Sequence, residues 1–124
     1  MFFLTHSHMD HIADLPFLID AFFSTRVETL NVYGLPETVG ALNDHIFNGE
    51  IWPSFGAISL SSSDKPAMKT NEIKANVRYE VESVALTPFE TNHTVKSVGY
   101  VIEKANKKLC LSPTRADARI YGIY

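Results

Sequence analysis

Three histidines and one aspartate lie within six residues near the start of this 124-residue chain. They form the motif His6-Ser7-His8-Met9-Asp10-His11, directly after the apolar run Phe2-Phe3-Leu4. Imidazole and carboxylate ligands together suit zinc, and also manganese or iron, whereas an all-oxygen set would indicate calcium or magnesium. The alternative is a group of exposed loop histidines without an ion, but three imidazoles at this spacing favour a metal site.

The position of the motif along the chain also favours a metal site. The apolar run predicts the end of a buried strand, and the histidines then fall on the loop where that strand stops. Because alternate side chains point the same way at a strand end, His6 and His8 are expected to converge on one ion. Asp10 and His11 follow the turn and are expected to face a second position nearby.

Three sequence blocks resemble the class II cyclic-nucleotide phosphodiesterases, which have the metallo-β-lactamase fold. The blocks are Leu4 to Ala13, Asp44 to Pro53 and Asn92 to Ile102. Three blocks in the right order are far more specific than the histidine motif alone, and the resemblance runs from residue 4 to about residue 112. It implies an α/β fold, namely a partial metallo-β-lactamase-like αββα sandwich with mixed sheets, as a single incomplete domain over residues 1–124.

The resemblance also implies a role for each residue of the site. In the family, a histidine at the position of His93 completes the first metal site with His6 and His8. Asp10 and His11 then belong to the second metal site, and Asp10 is also the expected catalytic residue that orients the attacking water. The implied cofactor is zinc in a two-ion site, with manganese or iron as alternatives. Taken alone, His93 would be typical of a surface loop histidine.

The activity implied by the resemblance is metal-dependent hydrolysis of 3′,5′-cyclic nucleotides, cyclic AMP or cyclic GMP, to 5′-nucleotides. Two alternatives remain. One is a different hydrolase of this fold, acting on thioesters, lactones or RNA ends, and the other is a non-catalytic fragment that binds metal or nucleotide. The segments Ile46-Phe47-Asn48 and Trp52-Pro53 favour cyclic nucleotides as the substrate. A net charge of −3 without a basic stripe gives no support to a nucleic-acid partner.

The chain departs from the family pattern at both ends. Relatives have two or more strands before the histidine loop, and after the strand ending at Ser112 they read Ser-Gly-Asp-Thr-Gly, with an aspartate that bridges both ions. Here the tail 113–124 departs from that pattern, and Asp117 is the alternative bridging carboxylate. We therefore expect one metal at best and weak or absent turnover. An incomplete sandwich leaves sheet edges without partners, so association into a homo-oligomer is also expected.

Composition predicts a soluble globular protein. The chain is 45% hydrophobic and 20% charged, which is enough for one core. It has no apolar stretch long enough to cross a bilayer and no export signal, so a cytoplasmic location is expected, unless an upstream segment carries such a signal. The single cysteine, Cys110, lies between Leu109 and Leu111 and is expected to be a buried thiol.

The elements that must position the site alternate along the chain. Asp14 is expected to cap a helix with Pro16 in its first turn and with Leu15, Leu18, Ile19, Phe22 and Phe23 on its core face. A strand around Leu30 to Tyr33 and a second helix from Pro36 follow, and strands in antiparallel hairpins fill the later part of the chain. His45 is expected to be a helix-end residue. Trp52 or Phe55 could stack on a purine, although core packing is the usual role of such rings.

Overall fold

The computed structural model describes residues 1–113 and 121–123. Most of the predicted tail 113–124, including Asp117, lies outside the described residues. The chain divides into two compact units, Met1–Glu72 and Ile73–Tyr124. The first contains a parallel three-stranded sheet and the second an antiparallel five-stranded sheet. The predicted α/β class with parallel and antiparallel sheets is confirmed, whereas the single domain over residues 1–124 stays a prediction.

The first unit alternates strands with helices. In chain order its elements are β1 (Phe2–Phe3), α1 (Met9–Ile12), α2 (Asp14–Phe22), a 3₁₀ turn (Phe23–Thr25), β2 (Leu30–Gly34), α3 (Pro36–His45) and β3 (Met68–Glu72). The strands lie in the order β1-β2-β3 and all run parallel, with Phe2 opposite Val32 and Leu30 opposite Met68. Parallel neighbours need crossover connections, and here helices lie within both of them.

Each of the two long helices has a proline in its first turn. Pro16 lies in the first turn of α2 and Pro36 opens α3, where a proline costs no helical hydrogen bond. The predicted capping role of Asp14 is wrong. Ala13 precedes α2 with helical backbone angles, because α1 ends directly before it, and Asp14 therefore lies inside the first turn. Phe22 is also not a core residue, since it is 52% exposed.

The core of the first unit comes from both helices and both long strands. Leu15 and Ile19 of α2 and Leu42 of α3 are buried, and so are Val32 of β2 and Met68 of β3. These positions repeat at helical spacing on the helices and on alternate residues of β2, as amphipathic elements require. Among the described residues, the structure contains no helix with the length and apolar character that crossing a membrane requires.

The second unit is a meander of antiparallel strands, which confirms the predicted hairpins. Its strands, each paired with the next, are β4 (Tyr79–Val81), β5 (Val84–Glu90), β6 (Val98–Lys104), β7 (Lys107–Leu111) and β8 (Tyr121–Ile123). The predicted buried thiol is wrong, because Cys110 on β7 is only half-buried. The neighbouring side chains Leu109 and Leu111 are exposed, so this part of β7 is not a core strand.

Candidate metal centre

The histidine loop begins where β1 stops. The Leu4 N–H donates to the Tyr33 carbonyl at 2.8 Å, which extends the pairing of β1 with β2 by one residue. His6 follows two residues later, at the carboxyl end of a parallel strand, where α/β proteins commonly bind ligands. Its side chain is almost completely buried, with 1% exposure. Pairing of β1 with β2 therefore holds the first histidine in a fixed place.

The neighbouring hydroxyl orients the ring of His6. The Thr5 Oγ1 lies 3.0 Å from the His6 Nδ1. In the tautomer protonated at Nδ1, the ring donates this hydrogen bond and presents Nε2 as a ligand atom. Metal-binding histidines commonly have such a partner on the nitrogen that faces away from the metal. The geometry of His6 thus fits that of a ligand.

The imidazoles of His8 and His11 both lie against the ring of His6. Its ring centroid lies 4.8 Å from that of His8 at an angle of 78° and 4.2 Å from that of His11 at 45°. Extended backbone at His8 ends the strand-like segment, and helix α1 begins at the next residue. The His8 carbonyl then accepts a hydrogen bond from the His11 N–H at 2.9 Å, which closes the turn that brings His11 back.

Asp10 lies beside His11 at the edge of this cluster. Its Oδ2 is 3.5 Å from the His11 Nε2, and the Asp10 side chain is 80% exposed, against 34% for His11. Both residues line a cavity of about 130 Å³ whose other walls include Asp14, Leu15 and Leu18. Sequence reasoning considered Asp14 only as a helix cap and missed this position, although its spacing of four residues from Asp10 was visible in the sequence.

His93 lies in the second unit, in the loop between β5 and β6. The ends of this loop are joined, because the Thr91 N–H donates to the Ser97 carbonyl at 3.1 Å and the two hydroxyl groups are hydrogen-bonded to each other. Of the five predicted metal-site residues, the structure brings together the four that lie in the first unit: His6, His8, Asp10 and His11. The role of His93 as a ligand stays a prediction.

The aromatic residues suggested for purine stacking have different surroundings. Phe55 is 2% exposed and packs against Phe23 and Phe47, with ring centroids 5.2 and 6.3 Å away. The stacking role suggested for Phe55 is therefore wrong, since its ring lies in the core. Trp52 is half-buried and contacts Phe17 edge to face, with centroids 4.9 Å apart.

Two other titratable side chains do not extend the site. His45 is exposed and ends α3, as predicted for a helix-end residue. Tyr100 on β6 is buried, and burial raises the pKa of its phenol well above the ordinary value, with Tyr79 as a second cause. A phenol is neutral near neutral pH even at its ordinary pKa, and the raised pKa keeps Tyr100 neutral to higher pH.

Comparison with solved structures defines the class of the fold. The crystal structure of unliganded yeast PDE1 matches 94% of this chain and 36% of its own, with a TM-score of 0.71 and 22% identity. The metallo-β-lactamase fold protein YhfI from Bacillus subtilis matches 88% of this chain and 38% of its own, with a TM-score of 0.60 and 20% identity. The chain therefore has a metallo-β-lactamase fold.

The sequence identifies the family within that fold. The family model for class-II cAMP phosphodiesterases matches residues 1–108. The chain belongs to the class-II cAMP phosphodiesterase family, which confirms the resemblance drawn from the sequence blocks.

Similar curated proteins have two different functions. The 3′,5′-cyclic-nucleotide phosphodiesterase 1 of Saccharomyces cerevisiae is 26% identical over 119 residues, covering 89% of this chain and 31% of the relative. The ribonuclease Z of Natronomonas pharaonis is 31% identical over 116 residues, covering 93% of this chain and 34% of the relative. The chain thus spans about a third of the length of the curated relatives that it matches.

Proposed function

We propose that this protein hydrolyses 3′,5′-cyclic nucleotides, cyclic AMP or cyclic GMP, to 5′-nucleotides with a metal-activated water. The observation that carries the proposal is the convergence of His6, His8 and His11 at a strand end, in a chain that belongs to the class-II cAMP phosphodiesterase family. Imidazoles with an adjacent carboxylate fit zinc, manganese or iron better than calcium or magnesium.

The proposed ligands form two sets. His6, His8 and His93 would hold a first ion, and Asp10 and His11 would contribute to a second. The ring arrangement around His6 and the hydroxyl beside its Nδ1 support the first set. His93 enters the set by its place in the sequence block, in the loop after β5. The contact between Asp10 and His11 supports their assignment to one position.

A divalent ion bound at these residues would supply Lewis-acid activation of water and of the phosphate oxygens. In the reaction, a water oxygen bonds to phosphorus and gives up a proton, the bond from phosphorus to the ribose 3′-oxygen breaks, and that oxygen takes up a proton, which yields the 5′-monophosphate with a free 3′-hydroxyl. The exposed carboxylate of Asp10 would accept a hydrogen bond from the attacking water and orient it.

Hydrolysis of an RNA end is the second candidate function. It is favoured by the relatives named ribonuclease Z, since the one from Natronomonas pharaonis is 31% identical to this chain and the yeast phosphodiesterase is 26% identical. The acidic balance of the chain, with a net charge of −3, weakens this candidate because RNA binding depends on basic surface. Cyclic nucleotides are small substrates that do not need an extended basic surface.

The proposal is tested by zinc content and by a substrate panel. The purified protein is assayed with cyclic AMP, cyclic GMP, a precursor tRNA and a thioester, each with added zinc or manganese. We expect at most one zinc per chain, held by the first set of ligands, and weak turnover of a cyclic nucleotide alone. Loss of an outer-shell partner weakens metal binding by about 10- to 100-fold. His6→Ala removes a direct ligand, so it should weaken zinc binding by more than this.

His45→Ala is the matched control, because this exposed histidine ends α3 and is not part of the cluster. Zinc binding that is equal in the His6→Ala protein and the wild type would remove the ligand assignment. Cleavage of the precursor tRNA without hydrolysis of cyclic nucleotides would favour the second candidate. Nucleotide binding without turnover of any substrate would indicate the non-catalytic alternative.

A further inference from the structure

The loop that carries His93 is closed at its base by a pair of hydroxyl residues, Thr91 and Ser97. Two contacts join them: the Thr91 N–H donates to the Ser97 carbonyl at 3.1 Å, and their hydroxyl groups are hydrogen-bonded to each other. Ser97 is 2% exposed and Thr91 is half-buried. We call this pair the Thr91–Ser97 clasp.

We infer that the Thr91–Ser97 clasp positions His93 for metal binding. This inference rests on the proposed function, in which His93 is a ligand. Thr91 directly follows β5 and Ser97 directly precedes β6. The clasp therefore leaves only residues 92–96 between its two ends. Closing a short segment at a rigid base reduces the number of conformations that its residues can adopt.

Burial makes the hydroxyl contact a strong constraint. Burying a hydroxyl without a hydrogen bond costs free energy. The buried Ser97 Oγ therefore favours the loop conformation in which it is hydrogen-bonded to the Thr91 Oγ1. His93 is two residues from Thr91, which limits how far its imidazole can move while the clasp is closed. Thr91 and Ser97 are therefore positioning residues, since they act on the metal through His93.

Two variants of Thr91 separate the hydroxyl from the shape of the side chain. Thr91→Val keeps the branched shape and removes the hydroxyl, whereas Thr91→Ser keeps the hydroxyl. We expect Thr91→Val to weaken zinc binding about 2- to 10-fold, the effect of losing one neutral hydrogen bond, measured by competition with a chromophoric chelator, and Thr91→Ser to bind as the wild type does. Thr94→Val, in the exposed part of the same loop, is the matched control and should bind zinc normally.

A second measurement uses the metal-free protein. Amide hydrogen exchange across residues 92–96 should be faster in Thr91→Val than in the wild type, because the open loop samples more conformations. Circular dichroism and thermal unfolding show whether each variant is folded. If Thr91→Val does not fold, Ser97→Ala provides the same test from the other side of the clasp.

Comparison with His93→Ala separates failure of the inference from failure of the proposed function. Weaker zinc binding in both His93→Ala and Thr91→Val, with the double variant no weaker than His93→Ala, supports the clasp as a device that acts through His93. Normal zinc binding in Thr91→Val, when His93→Ala binds weakly, overturns the inference alone. Normal binding in His93→Ala overturns the ligand assignment, and the inference fails with it.

Discussion

The hydroxyl of Thr5 lies 3.0 Å from the Nδ1 of His6, the residue that follows it. This contact engages one ring nitrogen at a side chain that is 1% exposed. Because one nitrogen is held by the hydroxyl, the buried ring has a preferred orientation. The proposed metal centre therefore includes Thr5, which is not a ligand but orients the first ligand, His6.

Removal of the Thr5 hydroxyl should weaken metal binding without removing a ligand. Thr5→Val keeps the shape of the side chain and leaves the His6 Nδ1 without this partner, so we expect a 10- to 100-fold loss of zinc affinity, approximately. Thr5→Ser retains the hydroxyl and should bind as the wild type does. Competition with a chromophoric chelator measures the affinity. Equal affinity in the Val and wild-type proteins would contradict an orienting role.

A methyl group at Gly99 should destabilise the second unit. A Cβ at this position would overlap the Phe89 ring and lie 2.7 Å from the Leu111 carbonyl oxygen, on the adjacent strand β7. The ring can move, but the carbonyl belongs to the sheet backbone, so Gly99→Ala should cost about 1–3 kcal/mol of unfolding free energy. Urea denaturation measures this change.

Gly40, in helix α3, is the matched control for Gly99. An added Cβ there meets nothing within 4 Å, and alanine is the better helix former. Gly40→Ala should therefore raise the unfolding free energy by roughly 0.5–1 kcal/mol. Equal effects of the two substitutions would mean that the close approach at Gly99 is not maintained in solution.

Truncation of Phe55 should show that its ring is part of the core. Phe55→Ala removes a ring that is 2% exposed and packs between other aromatic rings, so we expect a loss of about 3–5 kcal/mol of unfolding free energy. Ile51→Ala, at a side chain that is 66% exposed, should change stability by less than about 0.5 kcal/mol. A small effect of Phe55→Ala would contradict the core position and reopen its role in nucleotide binding.

The carboxylate of Glu103 should titrate at a lower pH than an ordinary glutamate. The hydrogen bond from Arg78 is the largest cause of its lowered pKa, and Lys108, 3.4 Å away, lowers it further. Arg78→Met should move the pKa back toward the ordinary value of 4.5, measured by NMR titration of the carboxyl carbon. Lys104→Met, at an exposed lysine on the same strand, is the control and should leave the pKa unchanged.

The same shift has a defined effect on stability. A lowered pKa in the folded state means that the ionised carboxylate is favoured by folding, so the contribution of Glu103 is present above the unfolded-state pKa and is lost as the pH falls through the folded-state pKa. The stability difference between wild type and Arg78→Met should thus shrink as the pH falls below about 4.5. A constant difference across that range would show that Arg78 stabilises the protein by packing alone.

Local patterns in the sequence were enough to predict the histidine loop and most of the elements around it. The motif His6, His8, Asp10 and His11 after an apolar run predicts a shared site without knowledge of tertiary contacts. A strand end followed by a turn fixes the directions of neighbouring side chains by local geometry alone. The antiparallel hairpins of the second unit also follow from alternating residues and short turns. Strand β3 was missed because its polar sequence, Met68 to Glu72, carries no such alternation, and its pairing with the distant β2 defines it.

Only the tertiary structure decided which side chains meet. Phe55 could have been an exposed ring for a base, and packing against Phe23 and Phe47 places it in the core instead. Asp14 looked like a helix cap and lines a cavity beside Asp10. The sequence alone thus determined the chemistry that the loop can perform, since that depends on residue types and local spacing. Burial and orientation were decided by contacts between elements far apart in the chain, which no local pattern encodes.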